Sequence, residues 1–179
     1  MRLLASVLVM SLFIFDAISA YNLGNSVTEL SSSTGALVKV IKGTSYGFKV
    51  PSNLADDGTH LWVANESGKS VTELSATSGG LIRYISATKY AFDEPQGLAV
   101  KGGRVWVPNG ANASVTELSA ANHALIRVLF GGSFAGLDVP VAIACDSART
   151  WVVSYGADTV TEIQASTGAF IQVIKLISA

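Results

Sequence analysis

Hydrophobic and polar positions in this chain come in short runs broken by turn residues. Across residues 52–85 the runs are Ser52 to Asp56, Leu61 to Ala64, Ser70 to Ser75 and Gly80 to Ile85. Between them stand Asp57-Gly58, Asn65 to Lys69 and Ala76 to Gly79, rich in the Gly, Asn, Ser and Asp that favour turns. The pattern predicts four short β-strands joined by tight connections. Many runs are apolar at consecutive positions, as in Ala124-Leu125-Ile126-Arg127-Val128-Leu129. Strands of that kind belong to sheets covered on both faces.

The series repeats. Val27-Thr28-Glu29-Leu30 returns at 71–74 and 115–118, and as Val160-Thr161-Glu162-Ile163, with spacings of 44, 44 and 45 residues. The register carries Tyr46 onto Tyr90, Phe48 onto Phe92, Pro51 onto Pro95, Leu54-Ala55 onto Leu98-Ala99, Trp62-Val63 onto Trp106-Val107 and Asn65 onto Asn109. A further unit keeps Phe134, Asp138, Pro140, Ile143-Ala144 and Trp151-Val152, with one residue inserted around Gly136-Leu137. Four strands in a period of roughly 40–50 residues is the arithmetic of a β-propeller blade. The expected fold is therefore all-β, a propeller of four-stranded blades.

The order F-x-x-P, then L/I-A, then W-V-x-N is carried by Phe48, Pro51, Leu54, Trp62 and Asn65, and again by Phe92, Pro95, Leu98, Trp106 and Asn109. It resembles the bacterial NHL and YVTN-type propeller repeats, with a more distant likeness to streptogramin lyase and gluconolactonase-type propellers. The resemblance implies that the Leu-Ala strand lines the axis and the Leu-Ile-Arg strand lies outermost. On that basis 52–85, 96–129 and 141–174 are complete blades, preceded by a half blade at 21–42 with strands around 26–31 and 36–41. Where the half blade would carry its W-V-x-N strand, residues 18–21 are Ile-Ser-Ala-Tyr. About three and a half blades leave a ring open. Two readings stand: copies associate to complete the ring, or the chain is a fragment of a longer propeller.

Residues 1–20 read as a signal peptide: Arg2, an apolar run from Leu3 to Phe15, then the small residues Ala17-Ile18-Ser19-Ala20. The repeat domain would then be 21–179, secreted or placed in the periplasm or at the cell surface, with membrane contact only through an uncleaved leader. A formal net charge of -1 and 14% charged residues, with no basic cluster, exclude a nucleic-acid partner. Cys145 is the one cysteine and sits in an apolar run, as expected of an inert thiol.

Candidate chemistry is sparse. Glu29, Glu73, Glu117 and Glu162 recur, each followed ten residues later by Lys39, Arg83, Arg127 or Gln172. A hairpin would set each glutamate opposite its partner, and the expectation is a cross-strand ion pair in the outer half of each blade, of small energy where exposed. Trp62, Trp106 and Trp151 are expected to pack between blades, and Pro51, Pro95 and Pro140 to mark strand starts. Asp93 and Asp138 read as turn residues, and His60 and His123 as surface turn histidines without acidic partners. Asn65-Glu66-Ser67 and Asn112-Ala113-Ser114 match the glycosylation sequon. No cofactor and no metal site is expected. The function expected is a non-enzymatic, exported protein-binding scaffold with an unidentified partner. The alternative is a lactonase- or lyase-like enzyme that needs a divalent metal and blades from another chain.

Overall fold

The computed structural model describes residues 12–15, 24–133 and 136–175. Phe134 and most of the leader, apart from 12–15, lie outside the described residues. Four antiparallel sheets follow one another along the chain. The first holds β1 (Leu12–Phe15), β2 (Ser26–Leu30) and β3 (Leu37–Lys42). The second holds β4 (Pro51–Asp56), β5 (His60–Asn65), β6 (Ser70–Ser75) and β7 (Leu81–Ile85). The third holds β8 (Ala99–Lys101), β9 (Arg104–Asn109), β10 (Ser114–Ser119) and β11 (Leu125–Phe130). The fourth holds β12 (Pro140–Cys145), β13 (Arg149–Ser154), β14 (Thr159–Gln164) and β15 (Phe170–Lys175). Strands in every sheet lie in chain order, and the first strands β4, β8 and β12 adjoin one another.

The first sheet differs from the sequence expectation. It has a strand before β2: Leu12 pairs with Leu30 and Phe15 with Val27. The repeat period points to 18–21 for this strand, which lie outside the described residues, whereas the aromatic and β-branched Leu-Phe-Ile-Phe suits a strand. The earlier segment, Leu12–Phe15, takes the edge beside β2.

The Val-Thr-Glu-Leu strand is the third of each blade and pairs on both sides. Thr72 lies between Val63 and Tyr84, and Thr116 between Val107 and Val128. Successive side chains point to opposite faces. Val71, Val115 and the glutamates look toward the following blade, whereas Thr72, Leu74, Thr116 and Leu118 look toward the preceding one. Packing repeats accordingly. Val27 and Ile41 of the first sheet meet Leu61, Val63 and Leu74 of the second. Trp62, Ala64, Val71 and Ile85 meet Val105, Val107 and Leu118 of the third. Trp106, Val115 and Leu129 meet Val152 and Ile163 of the fourth. Burying each such Leu or Val stabilises the stack by about 1.5–3 kcal/mol relative to an exposed side chain.

A buried polar knot explains why the repeat keeps Asn with Ser and Thr. Asn65 Nδ2 donates to Ser70 Oγ at 3.1 Å and Thr72 Oγ1 at 2.9 Å, and the Thr72 hydroxyl donates to the Tyr46 carbonyl at 2.8 Å. Asn109, Ser114, Thr116 and Tyr90 repeat the set at 3.0, 2.9 and 2.6 Å. In the fourth sheet Ser154 stands where these have Asn, and the buried Ser154 Oγ and Thr161 Oγ1 have no hydrogen-bond partner among the described residues.

Candidate functional site: the carboxylates at the blade junctions

The recurring glutamate sits opposite the position ten residues on in all four sheets: Glu29 with Lys39, Glu73 with Arg83, Glu117 with Arg127 and Glu162 with Gln172. Each glutamate also lies opposite the second strand, at Trp62, Trp106 or Trp151 in the last three sheets. These pairs are not exposed: Glu29, Glu73, Glu117 and Glu162 are 8%, 2%, 0% and 1% exposed. Glu162, in the last sheet, is as buried as the others with Arg149 and Gln172 crossing it, so side chains of the flanking strands suffice to take a glutamate out of water. Such groups are costly to leave unpaired.

Their partners include a set that the repeat reading did not assign. Arg104 and Arg149, two residues before the tryptophans at the start of β9 and β13, reach Glu117 and Glu162. From the other flank, Arg127 Nε stands 2.7 Å from Glu117, Lys39 Nζ 3.1 Å from Glu29, and Gln172 Nε2 donates to Glu162 at 2.6 Å. Burial pushes the Glu117 carboxyl up, and Arg104 and Arg127 pull it only part of the way back. Glu162 is held below its ordinary value, chiefly by the Gln172 hydrogen bond and then by Arg149.

Two of these cations tie neighbouring blades. Lys39 Nζ also donates to the Ser78 carbonyl of the second blade at 2.8 Å, and Arg127 Nη2 to the Ser166 carbonyl of the fourth at 3.3 Å. Each passes over a glycine with positive φ, Gly79 at 68° and Gly168 at 73°. A Cβ on Gly79 would lie 3.1 Å from Lys39 Nζ, and one on Gly168 would strike the Arg127 guanidinium.

Glu73 breaks the pattern. At the glycine position of the third blade stands His123, with φ 61°. Its Nε2 lies 2.6 Å from Glu73 Oε2, and its ring lies 5.9 Å from that of Trp62. Arg83 is exposed and makes no ion pair among the described residues. On the other flank the position of Arg104 is taken by His60, whose Nε2 is 4.0 Å from Glu73 Oε1 and whose Nδ1 is 3.1 Å from Asp57 Oδ2. Both histidines thus have acidic partners, which corrects the sequence expectation. The contact from His123 crosses between blades, so spacing within one unit could not show it. The aligned series His60, Arg104, Arg149 was visible in the sequence as a basic residue two before each tryptophan.

Asp57 shapes the turn that carries His60. Burial pushes its carboxyl up, but bonds from the Thr59 and His60 backbone N–H groups and from their side chains outweigh it and bring it to about 2. Asp57 also lines a shallow polar cleft of about 470 Å³ with Asp56, Thr59 and Lys101.

The remaining positions serve the frame. Trp62 and Trp106 are buried between blades, and Trp151 is half-buried. Pro51 and Pro140 open strands and Pro95 bridges Asn109; the residues before them, Val50, Glu94 and Val139, have φ of 52°, 51° and 47°. Asp93 pairs with Lys69 Nζ at 2.6 Å. Asp138 lies at the turn where the Gly156 N–H donates to its carbonyl. Asn65 is fully buried, so its sequon is closed to modification in the folded chain. Cys145 is half-buried, and that burial pushes its thiol up.

Solved structures share this arrangement. The RRP9 WD40 repeats superpose with a TM-score of 0.70 at 18% identity, covering 84% of this chain and 44% of that one. U3-55K gives 0.68 at 18% identity, covering 84% and 45%. Kuenenia stuttgartiensis hydrazine synthase gives 0.61 at 20%, covering 70% and 36%. The fold is that of a β-propeller. The chain spans less than half the length of each of these chains. No protein-family model matches the sequence, and no curated protein matches it.

Proposed function

We propose that the chain is an exported, non-enzymatic propeller module that binds protein partners along its outer rim, with repeats of the NHL or YVTN kind. The observation that carries this reading is a row of apolar side chains on the outermost strands. Val38, Ile82, Ile126 and Ile171 occupy one repeat position and are 55%, 46%, 39% and 43% exposed. The strands that carry them, β3, β7, β11 and β15, each end a sheet and have a free backbone edge. A free edge with alternate apolar side chains can take up an extended segment of another protein. The polar residues that recur most regularly, by contrast, are engaged within and between the blades. Propeller neighbours point the same way, toward interaction in general. Association between copies, which would complete the ring, belongs to the same reading.

Selection from a displayed peptide library tests it. The chain should enrich extended segments with alternating apolar residues, and the rim variant I82K/I126K should lose them while keeping its melting temperature. Enrichment unchanged by that variant, or calcium or magnesium raising the melting temperature, would contradict the scaffold reading; the metal response would favour the enzymatic alternative.

A further inference from the structure

Every blade junction joins the same two faces, and among the described residues the first and fourth sheets leave one of each uncovered. The face carrying Trp62, Val71 and Ile85, or Trp106, Val115 and Leu129, is buried by the next blade. In the fourth blade the equivalent residues are Trp151, Val160 and Ile174; the first two are half-buried and Ile174 is 46% exposed. At the other end, Thr72, Leu74, Thr116 and Leu118 are fully buried against the preceding blade, but their equivalents Thr28 and Leu30 are only half-buried.

The first sheet also keeps the feature that receives a preceding blade. Gly35 has φ 70°, in the same left-handed region as Gly79 and Gly168, yet among the described residues nothing lies within 4 Å of where its Cβ would be. At Gly79 and Gly168 that space is occupied by Lys39 and Arg127 of the blade before. The equivalent residue of the fourth blade, Gln172, is exposed on the uncovered face.

Resting on the propeller-scaffold reading, we infer that the Trp151 face of one chain docks on the Thr28–Leu30 face of a second copy, and that two copies close head to tail into a ring of eight sheets. The junction continues one that the chain already makes three times within itself. A head-to-tail contact either closes or polymerises. Four sheets from each of two copies fall within the four to eight blades that propellers use.

Sedimentation of the purified chain, with two face variants, tests this. The wild type should have twice the 18.6 kDa chain mass. V153K/I174K on one end and T28K/V40K on the other should each run as single chains that still melt cooperatively. Their self-association should weaken by about a hundredfold, because each lysine would be stripped of water in an apolar junction. Mixed in equal amounts, the two variants should regain a two-chain species, since one unaltered face remains on each. A single-chain wild type, a polymer series, a dimer insensitive to either variant, or a mixture that stays monomeric would each overturn the inference. The rim variant I82K/I126K should leave the mass unchanged, which separates failure of the ring from failure of rim binding.

Discussion

His123 Nε2 lies 2.6 Å from Glu73 Oε2 across the boundary between two blades, where the other internal junctions use Lys39 or Arg127 of the preceding blade. A histidine has replaced the glycine over which the cation would pass, and Arg83 is left outside. The recurring carboxylate is thus a fastening point, and at this junction its closest cation-capable partner comes from the following blade.

His123→Gly should restore the regular junction. Glycine accepts the positive φ without strain and opens the path for Arg83. Thermal stability should stay within about 0.5 kcal/mol of wild type, the range for substitutions that leave no group stranded. The same change combined with Arg83→Ala should lose about 3–5 kcal/mol, the cost of breaking a buried charge pair. Chemical denaturation measures both, and equal stabilities would count against recruitment of Arg83.

Ser154→Asn should stabilise the fourth blade. It would supply the amide that Asn65 and Asn109 give to their Ser and Thr partners, meeting Thr161 Oγ1, which is buried without one. A gain of about 1 kcal/mol in urea denaturation is expected from the added hydrogen bond.

The three tryptophans should respond unequally. Truncating Trp106 to Ala should cost about 3–5 kcal/mol because it empties a packed junction. Trp151→Ala in the separated chain should cost markedly less, since its face is half open to water. Equal losses in paired melts would show that the last blade is already covered in the single chain.

Acid should act through the turn aspartates. Asp57 is held at about 2, below the ordinary aspartate value of 3.8. A depressed carboxylate contributes stability that is present above the unfolded value and is lost as pH falls toward the folded one. Melting temperature should therefore fall between about pH 4 and 2. Asp57→Asn, which keeps an oxygen for the Thr59 and His60 N–H groups, should make that fall shallower. It should not abolish it, because Asp146 is likewise depressed by the Ala148 and Arg149 N–H groups. An unchanged acid profile would remove Asp57 from the account.

Periodicity made the blades legible because one strand order is written repeatedly, and Glu117 opposite Arg127 follows from hairpin arithmetic alone. What it hid lies between blades. His123 and Glu73 stand fifty positions apart in the chain and meet because their sheets stack. Glu29, Glu117 and Glu162 are buried by Lys, Arg and Gln side chains folded over them, a closeness that spacing within one unit does not measure. β1 was hidden for another reason: its strand departs from the period and lies in the apolar stretch that also reads as a leader.

The central claim is that Glu73 and its counterparts hold blades together, and a double-mutant cycle between Glu73→Gln and His123→Ala measures it directly. The account predicts a coupling of at least about 1 kcal/mol in equilibrium unfolding, since the two groups share one buried contact. Losses that add to within about 0.3–0.5 kcal/mol, the behaviour of independent sites, would contradict it.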